Sequence, residues 1–259
     1  MNNSLSKRIS NYIEIQSEKF IPQLPIVIYF NGKNFTRVCK KMKKPFDEDF
    51  DHTFLMSVFY TIKEIPTVSF AYQFLDKAMI VLSPSKNPWM DNNKDKIISV
   101  SSSYITGGLK DLIANNTTKL DIVGDIVFEV TAFVLPKFTE VVNYFVAKQN
   151  KAYTDALNQI CLSFLTPKIG KHKAVSLLSG KKNFEKQELL SKQFEISIEN
   201  YSKSFYMGNI IYKKPLLVSN NGESVMKNKW HVEKNVEKFN NDKIFLLNIF
   251  KTGHDIFRV

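Results

Sequence analysis

Apolar and polar positions in the first part of the chain follow two different periods. Residues 24–30, LPIVIYF, form a short β-branched and aromatic run that ends at Asn31 and Gly32, as expected for a buried strand followed by a turn. From Asp47 onward apolar side chains recur at every fourth position, which predicts a helix with one buried face over 48–64. The chain therefore opens with a strand and then a helix.

The following segments continue this alternation. Two strands are predicted over 67–74 and 78–83, joined by a tight turn at 75–77. A helical stretch follows at 89–114, and residues 125–135 predict another strand. The order strand, helix, strand, strand, helix, strand is the ferredoxin-like arrangement. We therefore predict an α+β fold in which a βαββαβ antiparallel sheet is backed by helices.

The pattern changes beyond Pro136, where a long amphipathic segment predicts a mostly helical lobe. The last stretch holds two strand-like runs, NIIYKKPLLV and KIFLLNIF, separated by a polar loop rich in Asn and Lys. We predict three parts: a palm-like domain over 1–136, the helical lobe over 137–208, and C-terminal strands and a loop over 209–259 that pack on the palm.

Composition limits the class of protein. The 259 residues are 44% hydrophobic and include 21 Phe, which is enough for a large core without metals or disulfides. Cys39 and Cys161 are far apart and have no CxxC or histidine pairing, so neither a disulfide framework nor a zinc site is predicted. No apolar run has the length of a signal peptide core or a membrane span. We expect a cytoplasmic protein without a membrane partner, and an organellar or virus-encoded origin stays open.

The charge balance favours a polyanionic partner. Lys and Arg number 36 against 25 Asp and Glu, which leaves a formal net charge of +11. Such a bias is typical of proteins that bind nucleic acid or nucleotide phosphates. A lysine-rich solvated surface without a binding role would give the same composition. Charge alone leaves both interpretations open.

Two turns of the predicted sheet are expected to face each other. In this topology the first and third strands are neighbours, so the turn after the first strand meets the hairpin at 75–77. Polymerase palms and nucleotide cyclases place carboxylates there that hold two Mg²⁺ ions. Here the first turn offers Asn31, and the hairpin offers Asp76 followed by Lys77. One carboxylate of the expected set remains.

Several ordered motifs resemble the tRNA-His guanylyltransferase-like family. Residues 31–35, NGKNF, resemble its DGRNF or DGKAF turn, residues 43–49 resemble its KPFDE segment, and residues 71–82 resemble its YxQSDEISLL hairpin. Later segments resemble its KIVSVSAS helix, its FDARVFNLP strand and its EVxNYFxWRQxDA helix: KIISVSSSYIT, FEVTAFVLP and EVVNYFVAKQNKA. The N-terminal LSKRISNYI resembles the opening of the bacterial and archaeal-type branch.

The resemblance implies a polymerase palm that adds nucleotides to the 5′ end of tRNA in the 3′-to-5′ direction. It also implies Mg²⁺ and GTP or ATP as cofactors, tRNA as partner, and a tetrameric or dimeric assembly. Carried over residue by residue, it puts Asp76 at the catalytic acid and metal-ligand position, the Gly32 backbone at a second ligand position, and Asn31 and Lys77 at degenerate ones. The nucleotide-binding positions that it implies are Gly32, Lys33, Asn34, Phe35, Lys44, Asp47 and Lys186.

The two lost acids leave three hypotheses open. In the first, the protein binds tRNA or a related RNA, with nucleotide addition weakened or lost. In the second, it is an active nucleotidyltransferase with rearranged metal or phosphate ligands, for which Asp49, Asp51 and Glu129 are candidate acids. In the third, it is a non-catalytic RNA-binding or structural subunit of a larger complex, and it needs no cofactor.

Overall fold

A computed structural model describes residues 5–15, 17–115, 120–220 and 223–252. The helices are α1 Leu5–Ile15, α2 Phe35–Val38, α3 Glu48–Glu64, α4 Lys94–Asn115, α5 Phe138–Ile169, α6 Lys171–Leu178, α7 Asn183–Phe194, α8 Lys203–Met207 and α9 Lys243–Thr252. The strands are β1 Ile26–Gly32, β2 Val68–Phe74, β3 Lys77–Leu82, β4 Phe128–Val134, β5 Asn209–Asn220 and β6 Glu223–Glu233. None of these helices is both long enough and apolar enough to cross a bilayer.

The six strands form one antiparallel sheet in the order β4-β1-β3-β2-β5-β6. Its first four strands, with α3 and α4, have the predicted βαββαβ connectivity, so the α+β class and the ferredoxin-like core are confirmed. β5 extends the core by pairing with the free edge of β2, and β6 pairs with β5.

Both faces of the central strands are covered, and successive side chains of a strand point to opposite faces. Ile28 and Phe30 of β1 pack in an apolar cluster with residues of α3 and α4. Val27 packs in a second cluster on the other face, with residues of α5 and α9. Helix α5 therefore lies on the same side of the sheet as the odd-numbered residues of β1.

The run KIFLLNIF was predicted as a strand, and this prediction is wrong. It forms α9, which buries Leu246, Ile249 and Phe250. This spacing is that of one helix face, and the Asp242 carboxylate accepts a hydrogen bond from the Phe245 N–H at 2.9 Å at the start of the helix. A short apolar run fits both periods, so periodicity alone could not separate strand from helix.

A buried polar network connects four elements behind the hairpin. The Gln73 Nε2 donates to Asp51 Oδ1 at 3.1 Å and to the Leu75 carbonyl at 3.2 Å. The Ser204 hydroxyl donates to Asp51 Oδ2 at 2.5 Å, and the Asn209 amide donates to Gln73 Oε1 at 2.6 Å. The network thus links α3, α8 and β5 to the turn between β2 and β3.

Replacing Gln73 by Leu should lower the free energy of unfolding by about 2–4 kcal/mol, because in a buried setting Asp51 loses one donor and the Asn209 amide loses one of its two acceptors. Urea denaturation measures the difference. Gln187→Leu is the matched control, since it removes only an exposed contact with Tyr153 and should change stability by less than about 0.5 kcal/mol. Equal losses for the two variants would show that the network does not stabilise the fold.

Candidate functional site

The candidate site lies where β1 ends beside the β2–β3 hairpin. Asn31 and Lys77 are directly opposed in the β1–β3 ladder. The Gly32 N–H donates to the Asp76 carbonyl oxygen at 2.9 Å. The two turns that were expected to face each other are therefore in contact. The hairpin turn consists of Leu75, with φ 49°, and Asp76, because Lys77 already begins β3.

The Lys77 ammonium lies among carboxylates at this site. Its Nζ is 2.8 Å from Asp76 Oδ1 and 4.0 Å from Asp155 Oδ2 of α5. The side chains of Lys77 and Asp155 are only 20% and 19% exposed, so solvent screens this charge pair weakly. Asp155 was missed by sequence reasoning. Its only local signal is a helical pair with Lys151, 2.5 Å between Nζ and Oδ1, which does not indicate proximity to the hairpin.

Asn31 lies beside a second acid. It is directly opposed to Glu129 in the β1–β4 ladder, and its Nδ2 donates to Glu129 Oε2 at 3.4 Å. The other two acids considered as replacements lie elsewhere. Asp51 belongs to the buried network, and the Asp49 Oδ2 is 3.8 Å from the Lys43 Nζ. Of the three, Glu129 is the one that the fold brings to Asn31.

Helix α5 adds positive charge next to Lys77. The Lys148 Nζ lies 4.1 Å from the ring centroid of Tyr29 and 5.1 Å from that of Tyr144. Burial lowers the pKa of Lys148, and the charges of Lys77 and Lys151 lower it further. These three lysines therefore share one electrostatic environment.

The acidic side chains of the same site act on the Tyr29 hydroxyl. Its pKa is raised by burial and then by the charges of Asp76, Asp155 and Glu129. Three acids and three lysines thus surround the end of β1, and their formal charges balance. Tyr29 had no role in the sequence-based site, and only packing of α5 on the sheet brings Lys148 to it.

Residues 32–35, the predicted nucleotide-binding turn, mostly contact other parts of the protein. The Lys33 N–H donates to the Val127 carbonyl at 2.8 Å, and Asn34 adopts a left-handed conformation with φ 58°. Phe35 is 4% exposed and packs in the core. Its ring lies so close to Gly32 that a Cβ there would overlap it, which explains the need for glycine.

Lys44 and Asp47 lie on the connection between α2 and α3. The Lys44 ammonium donates to the Cys39 carbonyl at 2.7 Å. The Asp47 carboxylate caps α3 by accepting a hydrogen bond from the Phe50 N–H at 3.0 Å, and it also accepts one from the Lys43 N–H at 3.0 Å. Burial raises the pKa of the Cys39 thiol to about 12, and the charges of Lys44, Asp76 and Asp47 also act on it. The contacts of both predicted residues are local, to the Cys39 carbonyl and to the start of α3.

Lys186 lies in the helical lobe. Its side chain is 6% exposed, and its carbonyl accepts a weak hydrogen bond from the Cys161 thiol of α5 at 3.9 Å. Among the described residues, none of its contacts reaches the hairpin site. The structure therefore brings together Asn31, Gly32, Asp76 and Lys77, leaves Lys44 and Asp47 on the connection between α2 and α3, and packs Lys186 of α7 against α5.

The residues at the site do not fit a pair of Mg²⁺ ions. Mg²⁺ requires near-octahedral oxygen ligands, and one or two carboxylates normally bind each ion. Here an ammonium holds the Asp76 carboxylate, and the Asn31 amide nitrogen faces Glu129. Across the residues with described positions, no group of three Asp, Glu, His or Cys residues is arranged to hold a metal ion.

Comparison with known proteins gives relatives in sequence and in fold. A probable tRNA(His) guanylyltransferase of Dictyostelium discoideum is 24% identical over 237 residues, which cover 86% of this chain and 91% of the relative. A bacterial tRNA(His) guanylyltransferase-like protein in complex with ATP shares the fold, with a TM-score of 0.79 and 21% identity over 96% of this chain and 99% of that one. The structure of such a bacterial protein with GTP gives a TM-score of 0.71 and 20% identity, with the same coverage.

The family model described as tRNAHis guanylyltransferase matches residues 7–136. This range is half of the chain, and it contains β1 to β4, the helices between them, and the two facing turns. The resemblance noted in the motifs is thereby confirmed, and the chain belongs to the tRNA(His) guanylyltransferase family.

Proposed function

We propose that this protein binds tRNA or a related RNA, and that the addition of nucleotides to a tRNA 5′ end is weakened or lost in it. The ion pair between Lys77 Nζ and Asp76 Oδ1, at 2.8 Å, carries this proposal. A carboxylate neutralised by an ammonium is a poor metal ligand, and the ammonium repels an incoming cation.

The expected loss of rate is large. Metal ions contribute several kcal/mol of transition-state stabilisation, and each 1.36 kcal/mol corresponds to a factor of ten, so losing them costs on the order of a thousandfold or more. Asn31 keeps an oxygen at its position but has no charge to offset a divalent ion. Asn31 and Lys77 therefore both weaken metal binding at this site.

Binding of RNA and nucleotides has separate support. The net charge of +11 favours polyanions. The related bacterial proteins bind ATP and GTP in their solved complexes, which supports a nucleoside triphosphate as a ligand here. Family membership supports tRNA as the RNA partner. None of these three supports depends on a metal at Asp76.

A second candidate function is nucleotidyl transfer with rearranged ligands. The observation in its favour is the proximity of two further acids, Asp155 at 4.0 Å from the Lys77 Nζ and Glu129 at 3.4 Å from the Asn31 Nδ2. If the Lys77 side chain swings outward, Asp76 and these two acids face the same space. This candidate predicts Mg²⁺-dependent activity in the unmodified protein.

Purified protein mixed with a tRNA transcript and labelled GTP should retain the RNA on filters but incorporate little label with Mg²⁺ present. Affinity should fall steeply from about 50 to 200 mM salt, because binding releases counterions. An EDTA-treated reaction sets the background. Strong Mg²⁺-dependent incorporation would establish the second candidate, and RNA retention that is absent or indifferent to salt would refute RNA binding.

A further inference from the structure

Strands β5 and β6 extend beyond the rest of the sheet as a two-stranded arm. β5 pairs with β2 only over Asn209–Tyr212, whereas the β5–β6 ladder continues to Asn220 and Glu223. Residues 213–220 therefore pair with β6 alone, and at 3.3 Å per residue they span about 26 Å. We call residues 213–230 the hairpin arm.

One face of the hairpin arm carries three lysines. Directly opposed residues of an antiparallel pair share a face, and the ring contact of Tyr212 with His231, at 5.5 Å, identifies that face at the base of the arm. Two residues further along, Lys214 is directly opposed to Lys229, and Lys227 follows on the same face. All three side chains are exposed.

Among the described side chains of the arm, the charged ones are all positive. The side chains described there belong to 213–217 and 226–230, and they include four lysines and no acid. Lys214, Lys227 and Lys229 form no ion pair in the part of the chain that the structure describes. The fourth, Lys213, lies on the opposite face, 5.0 Å from the Trp230 ring centroid.

Lysines on exposed strands also prevent edge-to-edge aggregation. That role requires charges on the arm but not like charges directly across from each other. Lys214 opposite Lys229 destabilises an isolated hairpin. A bound polyanion would convert this repulsion into attraction, so the arrangement favours a ligand with closely spaced negative charges.

We propose that this lysine face of the hairpin arm binds the phosphate backbone of RNA, which rests on the proposed function that the protein binds RNA. Each lysine that neutralises a phosphate releases a counterion, so the contact is independent of base sequence and sensitive to salt. Ile210 and Tyr212 place this face on the same side of the sheet as Tyr29 and α5. The strand registers put the arm beyond the end of the sheet opposite to Asn31 and the β2–β3 hairpin, so the arm contacts a part of the RNA remote from the candidate site.

The test compares two triple variants by tRNA affinity over a range of KCl concentrations. Lys214, Lys227 and Lys229 are changed to Gln in the arm variant. In the control variant Lys86, Lys96 and Lys110 are changed to Gln, which removes the same charge from exposed positions on α4 and the loop before it. The arm variant should lower the slope of log K against log salt by about 2 to 3, and the control should match wild type.

Other outcomes overturn the proposal in distinguishable ways. Equal slopes for the arm variant and wild type refute the arm site and leave RNA binding elsewhere on the protein intact. No tRNA binding by wild type refutes the proposed function itself. Unchanged tRNA binding with lost binding to phosphatidylserine vesicles identifies a membrane as the partner. The melting temperature of the arm variant should not fall. Lys214→Gln alone is a second test with less perturbation, and it should lower the slope of log K against log salt by about 1.

Discussion

Replacing Asn31 by Asp together with Lys77 by Glu should create Mg²⁺ binding at the palm and raise tRNA-dependent GTP incorporation about a thousandfold. The double change removes the ammonium that lies 2.8 Å from Asp76 Oδ1 and adds two carboxylates beside the Gly32 turn. The carboxylate that replaces the Asn31 amide would also face Glu129 across the β1–β4 ladder, so the metal-free variant should be less stable. Calorimetric Mg²⁺ titration and labelled GTP incorporation measure the two gains.

Mg²⁺ should raise the melting temperature of this double variant and leave that of wild type unchanged, because a ligand stabilises only the state that binds it. Lys77→Met is the matched control, since it removes the ammonium without adding a ligand oxygen. If the double variant folds but binds no additional Mg²⁺, the palm has lost more than two side chains. Function should then be sought on the positive surface.

Replacing Gly208 by Ala should destabilise the fold by about 3–5 kcal/mol, because it adds both backbone strain and overpacking. Gly208 has φ 76°, and a Cβ there would lie 2.5 Å from one ring carbon of Tyr72 and 2.6 Å from another. Tyr72 is fully buried, and its hydroxyl donates to the Met207 carbonyl at 2.7 Å, so the ring has no room to move. Urea denaturation measures the loss.

Gly107→Ala is the matched control for this substitution. Gly107 lies inside α4, and a Cβ there meets nothing within 4 Å. Alanine in a helix interior should stabilise the protein by about 0.5–1 kcal/mol relative to glycine. A Gly208→Ala variant that unfolds at the wild-type urea concentration would show that the Tyr72 ring can move away.

Local signals in the sequence predicted most elements of the core correctly. The helix predicted over 48–64 coincides with α3, since its four-residue apolar period is long and Asp47 caps its start. The last apolar run was assigned wrongly, because eight residues with apolar side chains on several faces fit either period. An element was therefore assigned correctly when its apolar pattern repeated over many residues.

The candidate site was predicted only in part, for a related reason. Asn31, Asp76 and Lys77 could be placed together because adjacent strands and a short hairpin bring them close. Asp155 and Lys148 come from α5, which begins 61 positions after β3 starts, and no local spacing records where that helix packs. The assignment of nucleotide-binding roles to Lys44, Asp47 and Lys186 stays a prediction.

The sequence by itself determined the strand and helix order of the βαββαβ core and the excess of lysine, because these depend on residue identity and short-range periodicity, and its resemblance to the family implied the loss of two acids at the palm. Only the tertiary structure decided that the Lys77 ammonium pairs with Asp76 and Asp155, and that three lysines share one face of the hairpin arm. The physical reason is that charge interactions depend on distance in space, and packing of distant segments sets that distance.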